Sequence, residues 1–255
     1  MAVAKNIRAK QAPAEKIAGQ KTGTKKPTVK KPTTTRPTAK KATAKKPAAT
    51  KSTAKKPTAL AEYHRKRDFS RTKEPAGTVR KTRGRTLRFV IQKHAASHLH
   101  FDFRLELDGV MKSWAVPKGP SYDPAVRRLA MEVEDHPISY NTFEGTIPEG
   151  EYGGGTVMLW DRGTYEAEDG GGDAALRQGL ADGDLKITMH GERMRGGWVL
   201  VRMKRPGRPQ WLLIKHRDEE ADAEYDVIER FTKSVTTGRS MDQIGRTGRV
   251  WKASR

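Results

Sequence analysis

The segment Leu99–Leu107 reads Leu-His-Phe-Asp-Phe-Arg-Leu-Glu-Leu, a strict alternation of apolar and polar side chains. A period of two is the signature of a β-strand that buries one face. Five apolar residues therefore share one face, and His100, Asp102, Arg104 and Glu106 share the other. An ordinary solvent-facing strand carries a mixture of Thr, Lys, Ser and Glu. This one carries two metal-ligand types, a guanidinium and a carboxylate in a row. Alternate Cβ atoms on a strand lie roughly 7 Å apart, so His100 and Asp102 can reach one cation while Arg104 reaches an anion beside it. His94, just upstream, offers a third ligand. Singly, such residues are usually structural, and an Asp-Arg pair on a surface contributes little. Together, with His98 and His136 also nearby in sequence, they match the donor set of a divalent ion.

The rest of the ordered region reads as a succession of short strands: Leu87 to Gln92, Val110 to Val116, Arg128 to Val133, Thr156 to Trp160, Gly163 to Glu168, Asp184 to Met189, Trp198 to Met203 and Trp211 to Lys215. Asp108-Gly109 between two alternating runs predicts a two-residue hairpin turn, and Asp161-Arg162-Gly163 predicts a second, weaker one. One short helix is predicted over Asp173 to Leu180, with Asp173 as N-cap and Gly183 just past its end. Many short strands and few helices predict a mostly β fold, a compact closed or strongly curved barrel that leaves no exposed sheet edge. Gly150 to Gly155 lacks the Gly-Lys-Ser/Thr ending of a phosphate loop and predicts a tight turn into the next strand. After Arg217 the chain is charged, with a short helix predicted around Ala223 to Phe231 and a loose Gly-, Arg- and Ser-rich end.

Charge is distributed unevenly. Residues 1–60 hold 17 Lys and Arg against the single acid Glu15, a net +16 of the chain's +21, which leaves +5 for the remainder. Lys-Lys-Pro recurs from Lys25, Lys30, Lys45 and Lys55. Scattered prolines and scarce large apolar residues cannot offset the entropy of ordering, so this segment is expected to be a disordered basic tail that neutralises nucleic-acid phosphates without reading sequence. The chain has no cysteine, which excludes disulfides, thiolate metal sites and Cys nucleophiles. No secretory leader or membrane span is legible, and the expected setting is the cytoplasm. The reading divides the chain into the tail at 1–60, one domain at 61–217 and a charged extension at 218–255.

The order of these residues resembles the 3′-phosphoesterase domain of bacterial ATP-dependent DNA ligase D. The resemblance rests on Arg67-Asp68-Phe69 with Glu74, Gln92-Lys93-His94, the His100-to-Arg104 strand and Trp114 through Lys118-Gly119-Pro120. It continues through Glu134-Asp135-His136-Pro137, Tyr140, Phe143-Glu144-Gly145 and Ile147-Pro148-Glu149-Gly150. It implies a β-barrel enzyme that trims DNA 3′ ends during end joining, removing a terminal ribonucleotide and a 3′-phosphate, with manganese as the preferred metal and other divalent ions acceptable. By the same resemblance His94, His100 and Asp102 bind the metal. Arg104 and His136 contact the phosphate, with Lys118 and Arg128 as further basic positions. His136, Arg104 and Tyr140 act in catalysis, His136 when protonated as a general acid. Arg67, Asp68, Glu74, Gln92 and Glu134 form a supporting shell, and His98 falls outside the pattern as an ordinary loop histidine. The implied partners are DNA 3′ ends in a primer-template or a ribonucleotide-ended duplex, together with a Ku-like end-binding protein and a separate ATP-dependent ligase. No ligase activity is expected, because the one Lys-x-Asp-Gly-like fragment, Glu106-Leu107-Asp108-Gly109, has Glu where the adenylated Lys must be.

Two rival classes share part of this pattern. A non-haem iron oxygenase also uses two histidines and a carboxylate on a β-barrel, but Arg104, Lys118, Arg128 and the polycationic tail suit a phosphate better than oxygen chemistry. A non-catalytic DNA-end-binding protein would not need every metal and phosphate position filled.

Overall fold

The computed structural model describes residues 58–80 and 86–247. The basic tail read at 1–60 lies outside the described residues except for its last three, and so does the end of the chain from 248. Of those three, Leu60 is buried against Tyr63, so the folded unit begins before residue 61.

Among the described residues nine strands form one antiparallel sheet: β1 Leu87–Ala95, β2 Leu99–Leu107, β3 Val110–Val116, β4 Arg128–His136, β5 Gly145–Ile147, β6 Gly155–Ala167, β7 Asp184–Gly191, β8 Arg195–Arg202 and β9 Gln210–Lys215. Eight of them close a ring in the order β1-β2-β3-β4-β9-β8-β7-β6, and β6 pairs back onto β1 from Leu87↔Tyr165 to Ala95↔Thr156. This is the expected closed barrel. The short β5 adds to the free edge at the start of β6, through Ile147↔Gly155. The helices are α1 Ala61–Arg65, α2 Gly172–Asp182, α3 Val227–Arg230 and α4 Met241–Thr247, with a 3₁₀ turn at Ile138–Thr142. Among the described residues no helix is long and apolar enough to cross a membrane.

All eight ring strands contribute to one apolar cluster, including Phe89, Phe103, Trp114, Ala130, Trp160, Ile187, Trp198 and Trp211. That cluster is the barrel interior. Register fixes which side chains enter it: Ile91↔Phe103 and Phe103↔Trp114 point in, while Gln92↔Asp102, His94↔His100 and Arg104↔Ser113 point to the outer wall. The outer wall here is not solvated. Leu60 and Tyr63 from the N-terminal segment, with Tyr140, Phe143 and Ile147, form a second apolar cluster over it. On the polar face of β2, Asp102, Arg104 and Glu106 are all buried.

The Asp108-Gly109 hairpin is present, with φ of 53° and 78°, the positive pair that a twisted two-residue turn requires. The second predicted hairpin is not there. Thr156 to Glu168 is essentially one strand, β6, and Asp161 is wholly buried in it, accepting hydrogen bonds from the backbone N–H of Arg193 (3.0 Å) and Met194 (2.8 Å). A bulge opposite Ile91/Gln92 shifts the alternation of β6 by one residue. Inward Trp160 is followed by inward Tyr165, and in sequence that phase change imitates a turn. Gly163 serves close packing, since a Cβ there would meet the His190 carbonyl oxygen at 2.2 Å.

The predicted helix is α2, but its N-cap is Gly171 and Asp173 lies in the first turn. Gly183 caps the C-terminus with φ 78°. The end predicted to be loose is packed as far as it is described. Val227 and Ile244 are buried, the Trp160 indole donates to the Phe231 carbonyl (2.8 Å), and buried Glu144 accepts from Thr237 (2.6 Å) and Arg239 (2.9 Å).

Candidate active site

Three potential ligand atoms, one each from His94, His100 and Asp102, lie within 4.8 Å of one another. Strand pairing explains the cluster: His94 and His100 are direct cross-strand partners, and Asp102 follows on the same face. One nitrogen of each imidazole is committed to a backbone carbonyl. His94 Nε2 bonds the Gly153 oxygen (2.9 Å), and His100 Nδ1 bonds the His98 oxygen (2.9 Å). A carbonyl only accepts, so the proton sits on that nitrogen and the other nitrogen presents its lone pair. Those free nitrogens, His94 Nδ1 and His100 Nε2, face the two Asp102 oxygens at 3.4 and 3.7 Å. Two lone pairs and a carboxylate converge with no proton between them, which is the donor set and orientation of a divalent-metal site. His98 thus has a part that its side chain does not reveal.

Arg104 lies beside this cluster and is almost fully buried. Its Nε donates to Gln92 Oε1 (2.9 Å), Nη1 donates to Ser113 Oγ (2.9 Å), and Nη2 sits 3.2 Å from Asp102 Oδ2. Gln92 is held in turn, its Nε2 donating to the carbonyls of Phe143 (2.9 Å) and Tyr140 (3.3 Å). Burial would raise the Asp102 carboxyl, but the Arg104 guanidinium beside it holds the group well below the usual carboxylate range.

A bulge brings in the next group. Ser113 pairs with Val133 and Met111 with His136, so β4 carries one extra residue and turns both Glu134 and His136 toward the site. Arg67 ties them together. Its Nε donates to Glu74 (2.9 Å), its Nη1 to Glu134 (2.9 Å) and its Nη2 to His136 Nε2 (3.1 Å), while its guanidinium lies 4.0 Å from the centre of the Tyr63 ring. His136 Nδ1 donates to the Glu134 carbonyl (2.8 Å). With one nitrogen donating and the other accepting from Arg67, the imidazole is neutral. Burial, then Arg104 and Arg67, push its pKa well below the ordinary value. Tyr140 is also buried, its hydroxyl donating to Glu74 (3.0 Å), and burial followed by the Glu74 charge raises its pKa well above the usual phenol.

His94, His100, Asp102, Arg104, His136, Tyr140, Arg67 and Glu134 line one cavity of about 230 Å³. Gln92 and Glu74 stand behind them. Asp68, Lys118 and Arg128 are elsewhere: Asp68 is exposed and closes a local turn onto Ser70 (2.6 Å), and Lys118 and Arg128 do not line the cavity. Ser113, Tyr152 and Gly153 were not singled out in the sequence. Each is set by pairing or by a turn, and Tyr152 lies inside a glycine-rich stretch that reads only as a turn.

Residues 92–202 match the family described as the DNA ligase D 3′-phosphoesterase domain. The chain carries a DNA ligase D 3′-phosphoesterase domain. It is 50% identical over 186 residues to the multifunctional non-homologous end joining protein LigD of Pseudomonas aeruginosa, covering 71% of this chain and 22% of that protein. It is 42% identical over 169 residues to the multifunctional non-homologous end joining DNA repair protein LigD of Mycobacterium tuberculosis, covering 66% and 21%. The chain thus spans about a fifth of the length of the curated relatives it matches. The matched stretch 92–202 holds the three metal-type ligands, Arg104, His136 and Tyr140, whereas Arg67 and Glu74 lie before it.

Proposed function

We propose that this phosphoesterase domain is a divalent-metal-dependent hydrolase of DNA 3′ ends, with Mn²⁺ as the preferred ion, that removes a 3′-terminal ribonucleotide and a 3′-phosphate during end joining. The observation that carries this reading is the convergence of two oriented imidazole lone pairs and the Asp102 carboxylate beside the buried Arg104 guanidinium. His94 Nδ1, His100 Nε2 and Asp102 would hold the ion. When bound, it supplies Lewis acidity toward the phosphate and lowers the pKa of water. His and carboxylate ligands accept several divalent ions, Mn²⁺ among them.

The remaining chemistry belongs to the side chains. Water forms a new bond to phosphorus, the ester P–O bond breaks, and the departing oxygen takes up a proton. Arg104 lines the cavity and has donors left after Gln92, Ser113 and Asp102 that would serve as phosphate contacts. His136 starts neutral with Nε2 taken up by the Arg67 donor, so serving as the general acid requires the anionic phosphate to draw that donor to itself and favour a proton on Nε2. Arg67 fixes the ring, and Glu74 and Glu134 fix Arg67. Tyr140 presents its ring to Arg104 at 5.1 Å and its hydroxyl to Glu74. Lys118, Arg128 and the basic tail contribute to DNA affinity outside the cavity. A Ku-like protein and a separate ligase would act on the same ends, in the cytoplasm on the nucleoid.

Incubating the full chain with a ribonucleotide-ended duplex and with a 3′-phosphate-ended duplex, across Mn²⁺, Mg²⁺, Co²⁺, Zn²⁺ and chelator, tests the reading. Metal-dependent release from both ends supports it. Release that persists in chelator, or no release with any ion, overturns it.

A further inference from the structure

Tyr152 stands out beside a site built from buried groups, because it is 43% exposed and lines the same cavity as the metal-type ligands. It belongs to the glycine-rich turn before β6, and its neighbour Gly153 supplies the carbonyl that fixes His94. The ring is not a free surface aromatic. Its hydroxyl accepts from Lys66 Nζ at 3.2 Å, and the Lys66 and Arg67 cations lie 4.8 and 5.3 Å from the ring centre. A second cavity of about 590 Å³ runs along the same turn and shares Ala96, Ser97, Ile147 and Gly153 with the first. The two cavities adjoin at these four residues, beside the metal-type ligands.

We infer that Tyr152 is the stacking platform for the nucleobase next to the reacting phosphate, a base subsite of the 3′-end pocket. The inference rests on the phosphoesterase reading above. A pre-oriented ring with cations against it and its remaining surface exposed meets the requirement for base stacking, which tolerates any base because every base has a π-face. Tyr152 therefore sets affinity for the end without reading its sequence, and it acts on KM more than on kcat.

The test uses the full chain with a duplex whose 3′-terminal nucleotide is normal, 2-aminopurine or abasic. Loss of one base–aromatic stack corresponds to about a 5- to 150-fold change. Tyr152→Leu is expected to raise KM by that factor on the normal end, to hold kcat within a few-fold, and to abolish 2-aminopurine quenching on binding. Tyr152→Phe is expected to retain quenching and KM, and on the abasic end wild type and Tyr152→Leu should be alike. An unchanged KM in Tyr152→Leu, or an equal penalty on normal and abasic ends, overturns the subsite while leaving the phosphoesterase reading intact. A wild-type chain that turns over no 3′ end overturns both.

Discussion

Gln92→Met removes three hydrogen bonds from a wholly buried position with little change of volume. Arg104 Nε loses its acceptor at 2.9 Å, and the carbonyls of Phe143 and Tyr140 lose donors at 2.9 and 3.3 Å. The first bond involves a charged group and is worth about 1.5–3 kcal/mol, and the bond to Phe143 about 1 kcal/mol. The Tyr140 carbonyl keeps the Phe143 N–H at 2.9 Å, so its loss costs less. The expected destabilisation is about 3–4 kcal/mol, a displacement of the urea midpoint by roughly 1–3 M. Freed on one side, Arg104 also holds Asp102 less firmly, and Mn²⁺ affinity should fall about 10–100-fold. Urea unfolding and calorimetric Mn²⁺ titration of the same preparations measure both effects. Gln92→Glu should not rescue, because its second oxygen would face two carbonyl oxygens in place of a donor. A loss below about 1 kcal/mol with unaltered Mn²⁺ affinity would refute the reasoning that Gln92 orients Arg104 and, through it, the ligand set.

Arg104→Lys keeps a charge but cannot span Gln92, Ser113 and Asp102 at once, so turnover should fall at least tenfold at saturating Mn²⁺; wild-type turnover would show that the planar fork is not used. Burial pushes Asp161 up to about 7, against the backbone N–H groups of Met194, Arg162 and Arg193. The folded state therefore binds this proton more tightly than the unfolded chain, and stability should decline as pH rises from about 4 to 7, by at most about 4 kcal/mol; parallel stability–pH curves for wild type and Asp161→Asn would rule this out. Arg239→Met leaves wholly buried Glu144 with a lost ion pair and should cost about 2–4 kcal/mol, somewhat less than a fully buried pair because Arg239 is 24% exposed, as read by denaturant unfolding. Deleting residues 1–57 removes the same +16 but spares buried Leu60; DNA affinity should drop at low salt and the log–log salt slope should shrink by about 0.9 per lost phosphate contact, whereas equal slopes would exclude the tail from the interface.

Strand β2 was legible because its alternation is uninterrupted, and with it came the shared face of His100, Asp102 and Arg104. The Asp108-Gly109 turn was legible because only residues tolerant of positive φ suit it. The bulges were not. In β6 a bulge imitated a turn at Asp161, and in β4 a bulge let His136 share the face of Val133, three residues before it, which simple alternation denies it. The roof over the polar face was hidden as well, since the strand pattern of β2 does not say that Leu60, Tyr63 and the Ile138–Thr142 turn will cover it. The groups that fix the histidine tautomers are main-chain carbonyls of His98 and Gly153, which leave no mark in residue identity. Asp68, Lys118 and Arg128, carried by resemblance, stand outside the cavity.

Bound Mn²⁺ and 3′-end hydrolysis titrated together on the same metal-stripped protein address the central claim most directly. The account predicts one ion per chain, turnover that rises on the same saturation curve as binding, and loss of both in Asp102→Ala with the β-sheet signal retained. Full-rate hydrolysis by the stripped protein, or normal Mn²⁺ binding and turnover in Asp102→Ala, would contradict it.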